Sequence, residues 1–146
     1  MTGYYNNPQA TGEVIKDGWL YTGDIGKLDE GGSLFITGRK KEIIIVKGQN
    51  ICPGDIESVL STHPKVAEAA VIGIPDEMRG EVVGAVIGLK EGEVATEQEI
   101  KQFCLALIAS YKVPKQVMFL DSLPRTATGQ IDKESIRGFL SIPPTF

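Results

Sequence analysis

The chain is poor in the residues that most often carry chemistry unaided: it has two cysteines and one histidine in 146 residues. Cys52 and Cys104 lie far apart and match no metal-ligand spacing, so both read as reduced thiols and no metal site is expected. His63, directly before Pro64, reads as a surface residue at a helix end rather than as a catalytic base. A basic excess is also missing. The net charge is −4, which argues against a nucleic-acid binder. The longest apolar stretches, Val66 to Pro75 and Val82 to Leu89, are too short to cross a bilayer and lack a signal-peptide flank, which makes a cytoplasmic location the default. No G-x-x-x-x-G-K-S/T phosphate loop, internal repeat or low-complexity tract occurs. What is present, 42% apolar and 23% charged residues, has the make-up of one globular domain with a modest core.

Local patterns then divide the chain. The first 23 residues are rich in Gly, Asn, Tyr and Thr and show at most a helical turn near Ala10 to Ile15, as expected of a connector. Asp24 to Asp29 and Ser33 to Thr37 flank Glu30-Gly31-Gly32, a hairpin pattern. Gly38 to Glu42 is polar and reads as a joint between two parts. Glu42 to Val46 is β-rich, and Lys47 to Asn50 breaks that pattern. Pro53 suits the first turn of a helix running to about Thr62, with Ile56, Val59 and Leu60 as its buried stripe. Val66 to Ile74 and Val82 to Lys90 are β-branched runs expected to neighbour each other in one sheet. Thr96 and Glu99 form a capping box for a helix ending near Ala109, with Ile100, Phe103, Leu107 and Ile108 on its apolar face. Lys112 to Lys115 connects to a short strand at Gln116 to Leu120, and Asp132 caps a last helix. The expected fold is α+β: a small central β-sheet flanked by helices, with a β-hairpin near the N-terminus.

The residues with chemical potential are few. Arg39, Lys40, Lys41 and Lys47 cluster and would suit an anionic ligand. Leu123-Pro124-Arg125-Thr126-Ala127-Thr128-Gly129-Gln130-Ile131 is a Thr/Gly loop just before a helix, a place from which a cation can reach a phosphate. It carries Gln130, which donates hydrogen bonds but brings no charge.

Four segments, in order, resemble the C-terminal end of the adenylate-forming enzymes: acyl-CoA synthetases, luciferases and peptide-synthetase adenylation domains. The first is Gly3-Tyr4-Tyr5-Asn6-Asn7-Pro8 with Gly18-Trp19-Leu20-Tyr21-Thr22-Gly23-Asp24. The second and most specific is Gly38-Arg39-Lys40-Lys41-Glu42 followed by Gly48, Ile51, Pro53, Asp55-Ile56-Glu57. Gly73-Ile74-Pro75-Asp76 through Gly80-Glu81 is the third, and Tyr111-Lys112-Val113-Pro114 leads into the fourth, the loop ending at Gln130.

The resemblance implies that residues 1–23 end a large N-terminal domain and that residues 24–146 form a mobile lid. It also implies roles. Asp24 would accept hydrogen bonds from the ribose hydroxyls of ATP, and Arg39 would contact ribose or phosphate. Lys41 would be the hinge about which the lid turns, since an exposed polar joint can absorb a backbone rotation. Gly48 would lie against the pantetheine arm of coenzyme A, where a residue without Cβ permits close approach. Gln130 stands where the family's loop Lys would meet the adenylation transition state, and Lys133 reaches that place only if the loop rearranges. Asp55 and Glu57, catalytic by composition, sit in a first helical turn and are better explained as dipole partners. Arg79 and Lys112 read as surface charges, with contact to the phosphates of coenzyme A as the alternative.

The implied reaction joins a fatty or aromatic acid to coenzyme A using ATP and Mg2+, with those ligands held mainly by the large domain; the chain alone should not catalyse. Two alternatives stand beside it. One is a peptide-synthetase adenylation fragment, although those usually carry Asp where Lys41 stands. The other is a non-catalytic module that binds nucleotide, coenzyme A or a protein partner.

Overall fold

The computed structural model describes residues 1–140 and divides into two compact units, Met1–Lys41 and a second that begins at Glu42. In the first unit, helix α1 (Pro8–Val14) starts with Pro at its first turn, and the Asn7 side chain accepts from the Ala10 amide at 3.0 Å. Strands β1 (Ile15–Lys16) and β2 (Trp19–Leu20) then pair around Asp17 and Gly18, both at positive φ. Asp-Gly is the pair that a two-residue hairpin turn favours, so the segment read as a connector is folded by a signal it carries itself. β3 (Asp24–Leu28) and β4 (Leu34–Arg39) form the expected hairpin, with a register shift between Ile25 and Gly26. No residue of this unit is buried: Trp19 is 74% exposed and Ile36 62%.

The second unit carries the core. Its sheet contains β5 (Ile44–Val46), β6 (Gln49–Ile51), β7 (Val66–Asp76), β8 (Gly80–Leu89) and β9 (Gln116–Leu120). β8 is central. It pairs antiparallel with β7 from Asp76↔Gly80 to Val66↔Leu89, while its other edge takes β9, parallel, at Gly84 to Gly88 and β5 at Gly80. The parallel return of β9 requires a crossover, which α3 (Glu97–Leu107) provides.

Both faces of the sheet are covered, which is why β7 and β8 read as continuous apolar runs. On one face Ile56 and Leu60 of α2 (Pro53–Ser61) and Ile100 and Cys104 of α3 pack on Val71, Val83, Ala85 and Ile87. On the other, Ile136 and Leu140 of α4 (Lys133–Leu140) and Leu123 pack on Ala70, Ile72, Ile74 and Val86. The α+β class expected from the pattern is the class observed.

Several local expectations need correction. Gln49 and Asn50 do not break the strand pattern but form β6, a polar edge strand beside β5. Leu107 is 57% exposed, because α3 ends there and its buried stripe is Ile100 and Cys104. His63 is buried: its ring meets Phe103 edge-on at 4.6 Å, and Nδ1 accepts from the Lys65 amide at 3.2 Å. Thr96 accepts from the Glu99 amide at 3.2 Å, but the Glu99 carboxylate turns to Lys65 Nζ at 2.9 Å instead of closing the capping box. That bond holds the Glu99 carboxyl below the usual carboxylate range. Both cysteines are free, and burial pushes the Cys104 thiol up, which makes it unreactive.

Asp132 caps α4 as expected, accepting from the Glu134 and Ser135 amides and, at 2.7 Å, from the Ser135 hydroxyl. The hydroxyl and then the amide of Ser135 lower the Asp132 pKa. A carboxyl lowered in the folded state adds stability that is complete above the ordinary carboxylate range, near pH 4, and lost as pH falls through the folded value. Asp132→Ala should therefore lower Tm at neutral pH, and its difference from the parent should shrink below about pH 3. Thermal unfolding across pH tests this; a difference that persists unchanged in acid would remove the charge from the explanation.

Candidate functional site

Asp24 opens β3 and Arg39 closes β4, and the hairpin register makes them direct cross-strand partners, with Arg39 Nε 3.5 Å from Asp24 Oδ1. The Asp24 amide donates to Thr22 Oγ1 at 3.1 Å, which turns the Gly23 corner into the strand. Asp24 lines an open pocket of about 700 Å³ within the first unit, together with Glu13, Lys16, Tyr21, Thr22 and Lys40. Two acceptor oxygens, a guanidinium at hand and two lysines give this pocket the chemistry to hold a diol beside a negative charge.

Lys41 is exposed in the 3-10 turn Lys40–Glu42 and is the last residue of the first unit. Gly48 follows Lys47 in the two-residue turn between β5 and β6, with φ of +50° at Lys47 and +80° at Gly48, as a hairpin with both central residues left-handed requires. The Lys47 amide donates to the Arg79 carbonyl at 2.9 Å, so this turn lies against the β7–β8 corner. Among the described residues, a Cβ on Gly48 would meet nothing within 4 Å. The turn conformation alone calls for glycine, and the space over it is open.

The loop before α4 is closed by its own backbone. The Thr126 amide donates to the Gln130 carbonyl at 2.7 Å, the Gly129 amide to the Thr126 carbonyl at 2.9 Å, and Gly129 has φ +86°. Gln130 is exposed, and among the described residues none of the loop's hydrogen bonds uses its side-chain amide.

Lys133 does not reach toward residue 130. Its Nζ lies 2.9 Å from Glu42 Oε2 and 2.8 Å from Glu57 Oε1, a cation committed to two carboxylates. Glu57 is therefore more than a dipole partner, because its Oε1 also accepts from the Val71 amide at 2.9 Å and ties α2 to β7. Asp55 does sit in the first turn of α2, and Lys112 faces it at 3.9 Å. Pattern reading passed over Glu42, Glu57 and Lys133 as a group, as well as Glu68 and Arg125. Glu42, Glu57 and Arg125 are charges within motif segments and Lys133 follows one closely, whereas Glu68 lies in none and carried no signal.

Among the described residues no group of three His, Cys, Asp or Glu is placed to hold a metal ion.

Residues 55–130 match the family described as the AMP-binding enzyme C-terminal domain. The chain is 50% identical to the 2-succinylbenzoate–CoA ligase of Bacillus cereus over 135 residues, 92% of this chain and 28% of that protein. It is 48% identical to the indoleacetate–CoA ligase of Aromatoleum aromaticum, over 94% of this chain and 27% of that one. Among solved structures, o-succinylbenzoate CoA synthetase from Bacillus subtilis, in complex with an acyl-adenylate intermediate, superimposes with a TM-score of 0.84 at 36% identity, covering 99% of this chain and 29% of the other. The chain thus spans less than a third of the length of the relatives it matches. With a family match over residues 55–130 and half of its aligned residues identical to those of a curated relative, it belongs to the AMP-binding enzyme C-terminal domain family, the C-terminal domain of adenylate-forming CoA ligases.

Proposed function

We propose that this chain supplies, from Glu42 onward, the mobile lid of an ATP-dependent ligase that joins an aromatic carboxylic acid to coenzyme A. The observation that carries the proposal is where the chain divides. The boundary between its compact units falls at Lys41 and Glu42, with Asp24 and Arg39 before it and Gly48 and the Gln130 loop after it. A lid that turns about Lys41 can bring either of two faces to a reaction centre. One face presents the Gln130 loop for formation of the acyl-adenylate, and the other presents the Gly48 turn for transfer to the thiol.

In this scheme the first unit, which buries none of its own residues, is the end of the large domain and needs the rest of that domain to cover it, so the lid begins at Glu42 rather than at Asp24, where the resemblance in sequence put it. Asp24 accepts from the ribose diol, and Arg39 beside it balances the carboxylate and faces phosphate. ATP and Mg2+ are bound mainly by the large domain. The aromatic preference is supported by the acids named for the two ligases, 2-succinylbenzoate and indoleacetate, which each carry a ring.

The test is a panel of aryl and fatty acids supplied with ATP, Mg2+ and coenzyme A to the protein joined to its large domain and to the 146-residue chain alone. The expected result is acyl-CoA from aryl acids with the joined protein and none with the chain alone. Thioester formation by the isolated chain, or none from any acid by the joined protein, would sink the proposal. Asp24→Ala in the joined protein should raise KM for ATP about tenfold or more, the scale of losing charged hydrogen bonds to the diol.

A further inference from the structure

Glu68 lies on β7 beside a bulge, where the register shifts between Val66 and Glu68, and its partner across the ladder is Gly88. The glycine is needed there: a Cβ on Gly88 would stand 2.9 Å from Glu68 Cγ and 3.3 Å from Leu123 Cδ1. Lying flat across Gly88, the Glu68 side chain uses both oxygens. Oε1 accepts from the Leu123 amide at 3.1 Å, and Oε2 pairs with Arg125 Nη2. The other arm of the same guanidinium donates from Nη1 to the Gly129 carbonyl at 3.0 Å, one residue before Gln130. Leu123 itself is buried among Ala70, Ile72 and Val86.

A continuous path therefore runs from a core strand through one carboxylate and one guanidinium to the backbone beside residue 130. Ordinary surface ion pairs contribute little to stability and need no glycine cleared beneath them. The fork geometry of arginine, with two arms in fixed relation, is what allows one side chain to hold a carboxylate and a carbonyl together.

We propose that Glu68 and Arg125 are positioning residues that hold the loop of residues 124–130 in register with the sheet, so that the side chain at position 130 is presented from a fixed backbone. Neither residue touches a reacting group. The inference rests on the adenylation role proposed for the loop, but the clamp itself does not depend on which residue occupies position 130, because none of its bonds uses that side chain.

The test is amide hydrogen exchange, followed by NMR, on the 146-residue chain. In Glu68→Gln and in Arg125→Lys, which keeps the charge but loses the fork, protection of the Thr126 and Gly129 amides should fall about tenfold, and α2 and α3 amides should keep theirs. The double variant should lose no more than either single variant, since both remove the same path. In the joined enzyme carrying Gln130→Lys, Glu68→Gln should lower kcat for pyrophosphate release about tenfold at unchanged KM for ATP.

Unchanged protection, or additive losses in the double variant, would overturn the clamp. Lost protection with undiminished kcat, in a Gln130→Lys enzyme that has itself gained activity, would overturn its positioning role. If Gln130→Lys gains nothing, the adenylation role of the loop fails, and the exchange data still decide whether the clamp exists.

Discussion

Gln130→Lys should raise carboxylate-dependent pyrophosphate release at least roughly tenfold once the chain is joined to its large domain. Formation of an acyl-adenylate concentrates negative charge between the attacking carboxylate and the α-phosphate. A charged hydrogen bond there contributes about 1.5–3 kcal/mol against about 1 kcal/mol for a neutral one, and about 1.4 kcal/mol is a factor of ten in rate. In a water-excluded site the difference grows. The substitution is easily accommodated, since Gln130 is exposed and the loop is held by backbone bonds and by Arg125. Lys133 offers no substitute, because moving it would leave Glu42 and Glu57 without their cation. Gln130→Met is the control, removing the amide without adding charge. A lysine variant no faster than the parent would overturn the adenylation role proposed for the loop that carries residue 130.

Gly48→Trp should reduce transfer of a supplied acyl-adenylate to coenzyme A by about a hundredfold, the scale at which a misplaced reactant loses rate. Two effects have to be separated. Gly48 has φ +80°, so any other L-residue pays about 1–2 kcal/mol in backbone strain. Asn tolerates this region better than most side chains, so Gly48→Asn measures the strain with little bulk. A Cβ at position 48 has no atom of the described residues within 4 Å, so the first atom added there fills open space and the bulk beyond it lies where an incoming ligand would pass. The expected ordering is a small loss of transfer for Asn and a large one for Trp, with the ratio of transfer to pyrophosphate release falling in the same order. Equal transfer by both variants would refute the approach of coenzyme A over this turn.

Much of the fold was legible in local pattern. The places of α2, β7, β8 and β9 follow from proline, β-branched runs and turn residues, although β7 and β8 pair on to Asp76 and Gly80, into the segment expected to connect them, and the N-caps at Thr96 and Asp132 were visible as residue types. The departures share a cause. β6 is polar because its edge position leaves Gln49 and Asn50 exposed, so no alternation marks it. His63 is buried because α2 and α3 pack together where it lies, and a lone histidine before proline carries no sign of that neighbour. The β1–β2 hairpin is the exception: Asp17-Gly18 announced it in the sequence.

The site divides in the same way. Asp24, Arg39, Lys41, Gly48 and Gln130 were singled out only through the resemblance of their segments to the family, and the absence of charge at position 130 is wholly a fact of sequence. Tertiary structure alone decided which charges meet. Asp24 and Arg39 are partners only through the register of a hairpin, Lys133 is taken up by Glu42 91 residues away, and Glu68 reaches Arg125 across 57. The physical reason is one of range. Helix and strand periodicity repeat over a few residues and are written into neighbouring positions, whereas an ion pair depends on separation in space, which the chain sets only after its sheet has closed.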